Sequence, residues 1–221
     1  MKIGYKCIGW GTTSDGTQIY NLDSLYSIPE TDNTDIKLFA RWELEKYLIT
    51  YDLDGGNNSS YNPSYYTYLS GEIKLQNPTK RGYEFLYWGG DEPIAAGSTG
   101  NKNYIAIWDR IEYSIKYNLN GGHFTDDEEV QFTYNVDSKI IYLPNPLKDG
   151  SVFEGWNEGN CIEPGSIGNK TFTAQWQGIN YTITYILNGG ENGDGNPATY
   201  MKDTATFKLS EPNRKGYKFK G

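Results

Sequence analysis

The sequence has few of the residues from which catalytic and metal sites are built. Its 221 residues include one histidine, His123, and two cysteines, Cys7 and Cys161. One imidazole and two distant thiols exclude the common structural zinc sites, and they leave a nucleophilic triad only His123 as its base. Two cysteines so far apart also form no disulfide framework. We therefore expect free thiols, an exposed loop histidine, no metal, no cofactor and no enzymatic activity.

Basic charge and long apolar runs are also scarce. The chain has 20 Lys and Arg against 28 Asp and Glu, which gives a net charge of −8. This sign disfavours nucleic acid, heparin-like glycans and anionic membranes as electrostatic partners. The sequence contains no run of 18 apolar residues, so no segment of it is predicted to insert into a membrane.

Tyrosine and glycine, by contrast, are abundant, with 20 and 26 copies, and they recur in a fixed pattern. A stretch that alternates aromatic or β-branched residues with polar ones ends three times in a glycine pair, and the pairs begin 66 and then 68 residues apart. Such alternation predicts a half-buried strand, and Asp-Gly or Asn-Gly after it predicts a turn with positive φ. We assign a structural turn to six glycines: Gly55, Gly56, Gly121, Gly122, Gly189 and Gly190.

The same segments follow each glycine pair. They are a polar loop, a Tyr-containing extended stretch, an apolar stretch that reaches a proline, a Gly-led strand, and a closing strand that ends in tryptophan. Because this period is longer than that of a solenoid, the pattern indicates an array of small domains. The predicted boundaries are the C-terminal half of a repeat at 1–43, complete repeats at 44–110 and 111–178, and the N-terminal half of a repeat at 179–221.

The linkers and the two half-repeats carry further expectations. Four residues without Gly, Ser or Pro richness separate each closing tryptophan from the next opening tyrosine, so we expect the domains to follow one another stiffly. Each half-repeat would leave apolar surface and strand edges unpaired, and such edges are templates for pairing. We therefore expect head-to-tail self-association through the terminal half-repeats.

The motifs "YTITYILNGG" from Tyr181, "GYKFKG" from Gly216, "GYEFLYW" from Gly82 and "FTAQW" from Phe172 form one combined pattern. This pattern resembles the Listeria–Bacteroides repeat, the family that includes the B repeats of internalin B. The resemblance covers essentially the whole chain. It implies small β-grasp-like α+β domains in tandem on bacterial surface or secreted proteins, often tied to adhesion or host-cell interaction and with no enzymatic activity. The fold class we predict is mainly β, in a tandem array of repeats of about 66–68 residues.

The complete repeats differ from the family in the segment between their two tryptophans. Trp88 and Trp108 are 20 residues apart, as are Trp156 and Trp176, whereas family members commonly have a longer segment there. The helix that a β-grasp fold would place in this segment is expected to be lost or reduced to one turn. In the first half-repeat, where the segment is longer, 21–28 could still form a helix.

Aromatic side chains are the remaining candidates for binding. The closing-strand tryptophans share a strand face with apolar residues, which indicates a role in the core. The tryptophans that follow the Gly-led strand lie on the strand parity opposite to Phe85 and Phe153, which leaves two interpretations open. They could seal the far side of the sheet, or they could form a platform on which a sugar or peptide stacks. The candidate binding surface consists of Trp88, Trp156, Tyr65 and Tyr66.

Acidic and oxygen-rich loops are the last candidates for chemistry. Four consecutive carboxylates at 126–129 are more typical of a solvated loop tip than of a general acid–base pair. The loops from Asp52 and from Glu191 have oxygen ligands for calcium, but neither has the spacing of an EF-hand, so we do not predict a calcium site.

Together these patterns favour a non-catalytic stalk or adhesive segment of a bacterial cell-surface or secreted protein. Such a segment would present neighbouring domains and would bind a protein or glycan at a cell surface weakly, through many copies. The alternative is a carbohydrate-binding array attached to a secreted glycan-active enzyme. Solvent-facing Trp88 and Trp156 would favour the alternative.

Overall fold

The computed structural model describes residues 1–16, 19–27 and 35–221. The regular secondary structure within these ranges consists of β-strands. The chain forms two compact units, Met1–Arg110 and Ile111–Gly221. The prediction of a mainly β fold is confirmed. The predicted repeat boundaries at 43, 110 and 178 remain a prediction.

The first unit holds a strand pair followed by a four-stranded sheet. Its strands are β1 (Tyr5–Gly11), β2 (Phe39–Leu44), β3 (Lys46–Asp52), β4 (Tyr65–Thr67), β5 (Tyr83–Gly90) and β6 (Lys102–Arg110). Strands β1 and β2 pair antiparallel. The sheet has the order β4-β3-β6-β5, in which β3 and β6 pair in parallel at the centre and the outer pairs are antiparallel.

The second unit repeats this topology. Its strands are β7 (Tyr113–Asn118), β8 (Thr133–Tyr134), β9 (Ile141–Tyr142), β10 (Ser151–Trp156), β11 (Cys161–Ile162), β12 (Lys170–Gly178), β13 (Tyr181–Thr182) and β14 (Thr199–Tyr200). The sheet order is β10-β12-β7-β8, with β7 and β12 parallel at the centre. Two small antiparallel pairs, β9 with β11 and β13 with β14, complete the unit.

The core lies against one face of each four-stranded sheet. Alternate residues of β3, Tyr47 and Ile49, are buried, while the residues between them are exposed. Opposite the sheet, the loop segments close over this face, and Ile94 from one of them is buried. Each repeat therefore buries its aromatic residues between one sheet face and its own loops, and the other sheet face stays in solvent.

A β-bulge corrects the strand parity that we assigned to Trp88 and Trp156. The register of β5 against β6 shifts between Phe85 and Tyr87, and the register of β10 against β12 shifts between Phe153 and Gly155. The extra residue turns each tryptophan to the face of the preceding phenylalanine, so that the two rings pack edge to face with centroids 5.4 Å apart. The opposite-parity assignment was wrong because simple alternation does not count a bulge.

The described residues contain no helix. The expected loss of the helix between the two tryptophans of each complete repeat is therefore confirmed. In the first half-repeat, 21–27 forms a turn and irregular backbone where a helix was considered, and Ile28 lies outside the described residues. The β-grasp relationship itself remains a prediction.

Candidate functional site

Buried tyrosines connect the sheet of each repeat to its loops. In the first unit, the hydroxyls donate hydrogen bonds to backbone carbonyls: Tyr51 to Pro63 O at 2.8 Å, Tyr66 to Gly100 O at 2.6 Å and Tyr104 to Glu92 O at 2.9 Å. The second unit repeats two of these bonds, from Tyr117 to Gln131 O and from Tyr134 to Gly168 O. In these five tyrosines the ring packs in or against the core and the hydroxyl fixes a loop.

Burial also changes the acidity of these phenols. Loss of hydration raises the pKa of Tyr51 to about 12, and the nearby Tyr104 phenol adds to the effect. The pKa of Tyr117, the equivalent residue in the second unit, is raised by burial as well. At neutral pH both phenols are therefore protonated, as their role as hydrogen-bond donors requires.

The four residues of the candidate binding surface have different environments. Tyr66 is 1% exposed and Trp156 is 5% exposed, so neither ring presents a face to solvent. Trp88 is half-buried, and Tyr65 is 54% exposed on the opposite side of the sheet from the core. The structure therefore does not bring the four residues together as one platform, and Tyr65 is the member with an accessible ring.

The indoles of Trp156 and Trp88 differ in their hydrogen bonds. Trp156 Nε1 donates to Pro144 O at 3.0 Å, whereas the buried Trp88 Nε1 has no acceptor among the described residues. Gln76 is the residue that corresponds to Pro144, since each stands two residues before a proline. The Gln76 carbonyl, however, accepts a hydrogen bond from Asn62 Nδ2. The orphaned N–H of Trp88 is thus a local difference between two otherwise matched cores.

The glycine pairs form tight turns that each closing tryptophan packs against. Asn120 and Gly121 have φ values of 49° and 83°, the left-handed conformation that Asn and Gly adopt most readily. At Gly122 an added Cβ would lie 2.8 Å from Leu147 O and would also meet the Trp176 ring, which leaves room only for glycine. Trp176 Nε1 donates to Leu119 O at 3.0 Å, and Trp108 makes the same bond to Leu53 O.

A cation clamps each of these turns, a feature that the sequence reasoning missed. Lys148 Nζ donates to Asn120 O at 2.9 Å, and Lys80 Nζ forms an ion pair of 2.8 Å with Asp54. Arg214 donates to Asn188 O at 2.8 Å in the last segment. The sequence did contain a signal, because each cation stands two residues after a proline: Pro78 and Lys80, Pro146 and Lys148, Pro212 and Arg214.

A second glycine-centred contact joins consecutive repeats inside each unit. In the first unit, the Glu45 amide donates to Gly4 O at 3.0 Å, and in the second unit Ile179 donates in the same way to Gly150 O at 2.9 Å. Gly4 and Gly150 have φ values of 75° and 70°. A Cβ on Gly4 would collide with Tyr68 of the following repeat, and one on Gly150 would meet Lys202. We call these two contacts the repeat junctions.

The side chains that could take part in catalysis or bind a metal are dispersed. His123 is exposed, and its backbone pairs with that of Leu147 in an isolated bridge. Within 1–16, 19–27 and 35–221, no three or more His, Cys, Asp or Glu residues are grouped so that they could hold a metal ion. No helix in these same ranges is long and apolar enough to cross a membrane.

The comparisons with known proteins give a family and two relatives. Residues 47–105, 113–175 and 181–221 each match the profile of the Listeria-Bacteroides repeat domain. A protein of Evansella cellulosilytica named "Putative Gly-rich membrane protein" is 25% identical over 100% of this chain and 26% of its own length. A second protein of that organism, named "Putative membrane protein", is 24% identical over 83% of this chain and 29% of its own length. The chain therefore spans about a quarter of the length of these curated relatives. No solved structure matches it.

Proposed function

The chain belongs to the Listeria-Bacteroides repeat family, and on this premise we propose that it is a non-catalytic stalk or adhesive segment of a bacterial cell-surface or secreted protein. In this role the repeats hold neighbouring domains at a distance from the surface, and they bind host or matrix components weakly through many copies. The location we propose is extracellular. The names of the two relatives, both of which contain the words "membrane protein", support an envelope location.

The repeat junctions carry the stalk proposal. A spacer presents its cargo at a defined distance only if successive domains cannot swing freely. The Glu45 and Ile179 amides would be solvated in a free linker, but here each is bonded to a glycine carbonyl of the preceding repeat. The following repeat also packs so closely on that glycine that no side chain fits. These contacts restrict rotation between neighbours, as a stiff spacer requires.

The carbohydrate-binding alternative has less support. It required Trp88 and Trp156 to face solvent together, but Trp156 is buried and Trp88 packs against Phe85 and Tyr51. Of the four candidate residues, only Tyr65 has a largely exposed ring, and one ring does not make a stacking platform for a chain of sugars. We therefore keep the stalk as the proposed function.

Distance measurements across the first junction test this function. Spin labels attached at Lys6→Cys and Lys74→Cys in a chain with Cys7→Ser and Cys161→Ser would report the separation of β1 from the core-covering loop of the next repeat. We expect a narrow distance distribution, and we expect Gly4→Val to broaden it because the side chain must displace Tyr68.

The matched control for this experiment is Gly100→Val. Gly100 also has a positive φ, 86°, but an added Cβ there meets no atom within 4 Å, and the residue is not part of the junction. This variant should keep the narrow distribution. A broad distribution in the unmodified chain, or equal broadening by the two variants, would remove the argument for a stiff spacer.

A further inference from the structure

The two complete repeats share one topology but differ on the sheet face that points away from the core. In the first complete repeat, this face carries six apolar side chains, and the second complete repeat has a polar or small residue at every matched position. The matches follow from the common registers, in which Tyr47 and Tyr66 correspond to Tyr113 and Tyr134. The pairs are Leu48 and Ser114, Tyr65 and Thr133, Leu86 and Glu154, Tyr87 and Gly155, Ile105 and Thr173, and Ile107 and Gln175.

We call the six apolar residues of the first complete repeat the outer apolar face. Leu48 lies directly opposite Tyr65 across β3 and β4, and Ile107 lies opposite Tyr87 across β6 and β5, with Ile105 next to Ile107 on the same face of β6 and beside Asp52 of β3. Five of the six side chains are between 37% and 58% exposed. They expose roughly 500 Å² in total, in two groups on the same face, Leu48 with Tyr65 and the other four residues, which Thr50, Asp52 and Asn103 separate.

The chemistry of this face suits a protein partner better than a sugar. Four of its six residues are leucine or isoleucine, which offer no stacking surface for a pyranose ring. The neighbouring amide oxygens are already used, because Asn101 Oδ1 accepts from Leu48 N and Asn103 Oδ1 accepts from Thr50 Oγ1. A flat aliphatic and aromatic face of a sheet is the surface that a second sheet covers in a β-sandwich.

Charges at the two ends of the face indicate which sheet covers it. Lys46 is exposed at the end near Leu48 and Tyr65. At the other end, near Tyr87 and Ile107, the exposed Glu84 and Asp109 lie opposite each other on β5 and β6. If a second copy of the same face is laid on with its strand direction reversed, the Leu48 end of each copy covers the Tyr87 end of the other. Each Lys46 then meets Glu84 and Asp109 of the facing copy.

We propose that the outer apolar face is a self-association surface, on which two copies of this chain pack sheet against sheet with opposed strand directions. The contact is isologous, because the same patch contributes both sides. It buries roughly 1,000 Å² in total, which is at the lower limit for specific interfaces, so the dimer is weak and reversible. The second complete repeat, which has polar or small residues at the matched positions, takes no part.

Sedimentation velocity of the full chain between about 10 µM and 1 mM, a range suited to a weak interface, tests the proposal. We expect the weight-average sedimentation coefficient to rise with concentration. The variant Leu48→Ser, Tyr65→Thr, Ile105→Thr and Ile107→Gln carries the residues of the second complete repeat, which the same topology accommodates, and its sedimentation coefficient should rise less with concentration than that of the unchanged chain. Its urea unfolding and far-ultraviolet dichroism should match those of the unchanged chain.

Charge exchange tests the relative orientation of the two copies. Lys46→Glu and Glu84→Lys should each raise the dissociation constant about two- to tenfold, because each replaces two symmetry-related attractions at the rim by repulsions. The double variant restores opposite charges at these two positions but leaves Asp109 facing a carboxylate, so it should recover part of the lost affinity. A failure of this recovery would overturn the antiparallel arrangement.

Two other outcomes would overturn the proposal as a whole. If the unchanged chain is monomeric at 1 mM, the face serves a different partner or none. If the four-residue variant associates as strongly as the unchanged chain, the contact lies elsewhere, for example at the terminal half-repeats, whose head-to-tail association remains a separate prediction. The four substitutions lie in the first complete repeat and leave those half-repeats unaltered.

Discussion

At the scale of single residues, the two glycines of each turn are required for different reasons. Gly121 has φ of 83° but only the end of the Lys148 side chain near the position of a Cβ, so a substitution there costs backbone strain. Gly122 lies under the Trp176 ring and against Leu147 O, so a substitution there costs space. The pair therefore combines a conformational requirement with a packing requirement in two adjacent residues.

This difference predicts a rank order for substitutions. Gly121→Ala should lower the free energy of unfolding by about 1 kcal/mol, the usual cost of positive φ for a residue with a Cβ. Gly122→Ala should cost more, about 2–4 kcal/mol, because a backbone carbonyl and a packed indole must both move. Urea unfolding followed by tryptophan fluorescence measures both values. Equal costs would show that the closing tryptophan does not press on the turn.

The buried phenols predict an alkaline limit to stability. The pKa of Tyr51 is raised to about 12 in the folded chain, above the value of about 10 expected when it is unfolded. The unfolded state therefore loses its proton first, so this contribution to stability is complete below pH 10 and is lost as the pH rises towards 12.

Urea unfolding at pH 8, 10 and 11 would measure this loss. Tyr51→Phe should flatten the dependence, although it also removes the bond to Pro63 O and so lowers stability at pH 8. An unchanged slope in Tyr51→Phe would contradict the assignment.

At the scale of strands and turns, the cation clamps join the glycine-pair turn to the proline-containing loop. Lys148→Met keeps most of the apolar stem but removes the hydrogen bond to Asn120 O, which we expect to cost about 0.5–1.5 kcal/mol. Lys139→Met removes an exposed lysine of the same unit and should be neutral. Thermal unfolding of the two variants provides the comparison, and equal melting temperatures would mean that the clamp adds nothing.

Sequence periodicity predicted the opening strands and their turns because both are local. The alternation from Tyr47 to Leu53 and the following Asp-Gly depend on neighbouring residues only, and β3 and its positive-φ turn lie where they were expected. The bulge that turns Trp88 inward arises from pairing with β6, which follows many residues later. Alternation alone could not reveal it, and the proposed Trp88 and Trp156 platform depended on its absence.

Pairing also explains why one equally strong pattern forms a shorter strand. The alternating stretch from Tyr181 to Leu187 yields only β13, Tyr181–Thr182. In the first complete repeat, the later residues of the equivalent stretch, Ile49–Asp52, pair in parallel with the closing strand β6. The segment 181–221 contains no closing strand, so its period-two pattern has no partner on that side. An alternating sequence pattern therefore forms a full-length strand only where a neighbouring strand pairs with it.

At the scale of the whole chain, a comparison of the two complete repeats separates the structural features that both retain from those that differ. Both complete repeats retain the buried tyrosines, the turn glycines, the clamping cation and the bulge, and these features produce the fold. The outer sheet face has no part in the core, so it is free to be apolar in one repeat and polar in the next.

The parallel pair at the centre of each sheet also determines how a repeat responds to tension. Strand β3 opens its repeat and β6 closes it, and the two lie side by side and point the same way. A pull on the two ends of the repeat draws these strands past each other along their length. All the hydrogen bonds between them are then loaded together in shear, whereas a hairpin pulled at its open end would release its bonds one at a time. A stretch of such repeats therefore resists extension by the geometry of its strand order.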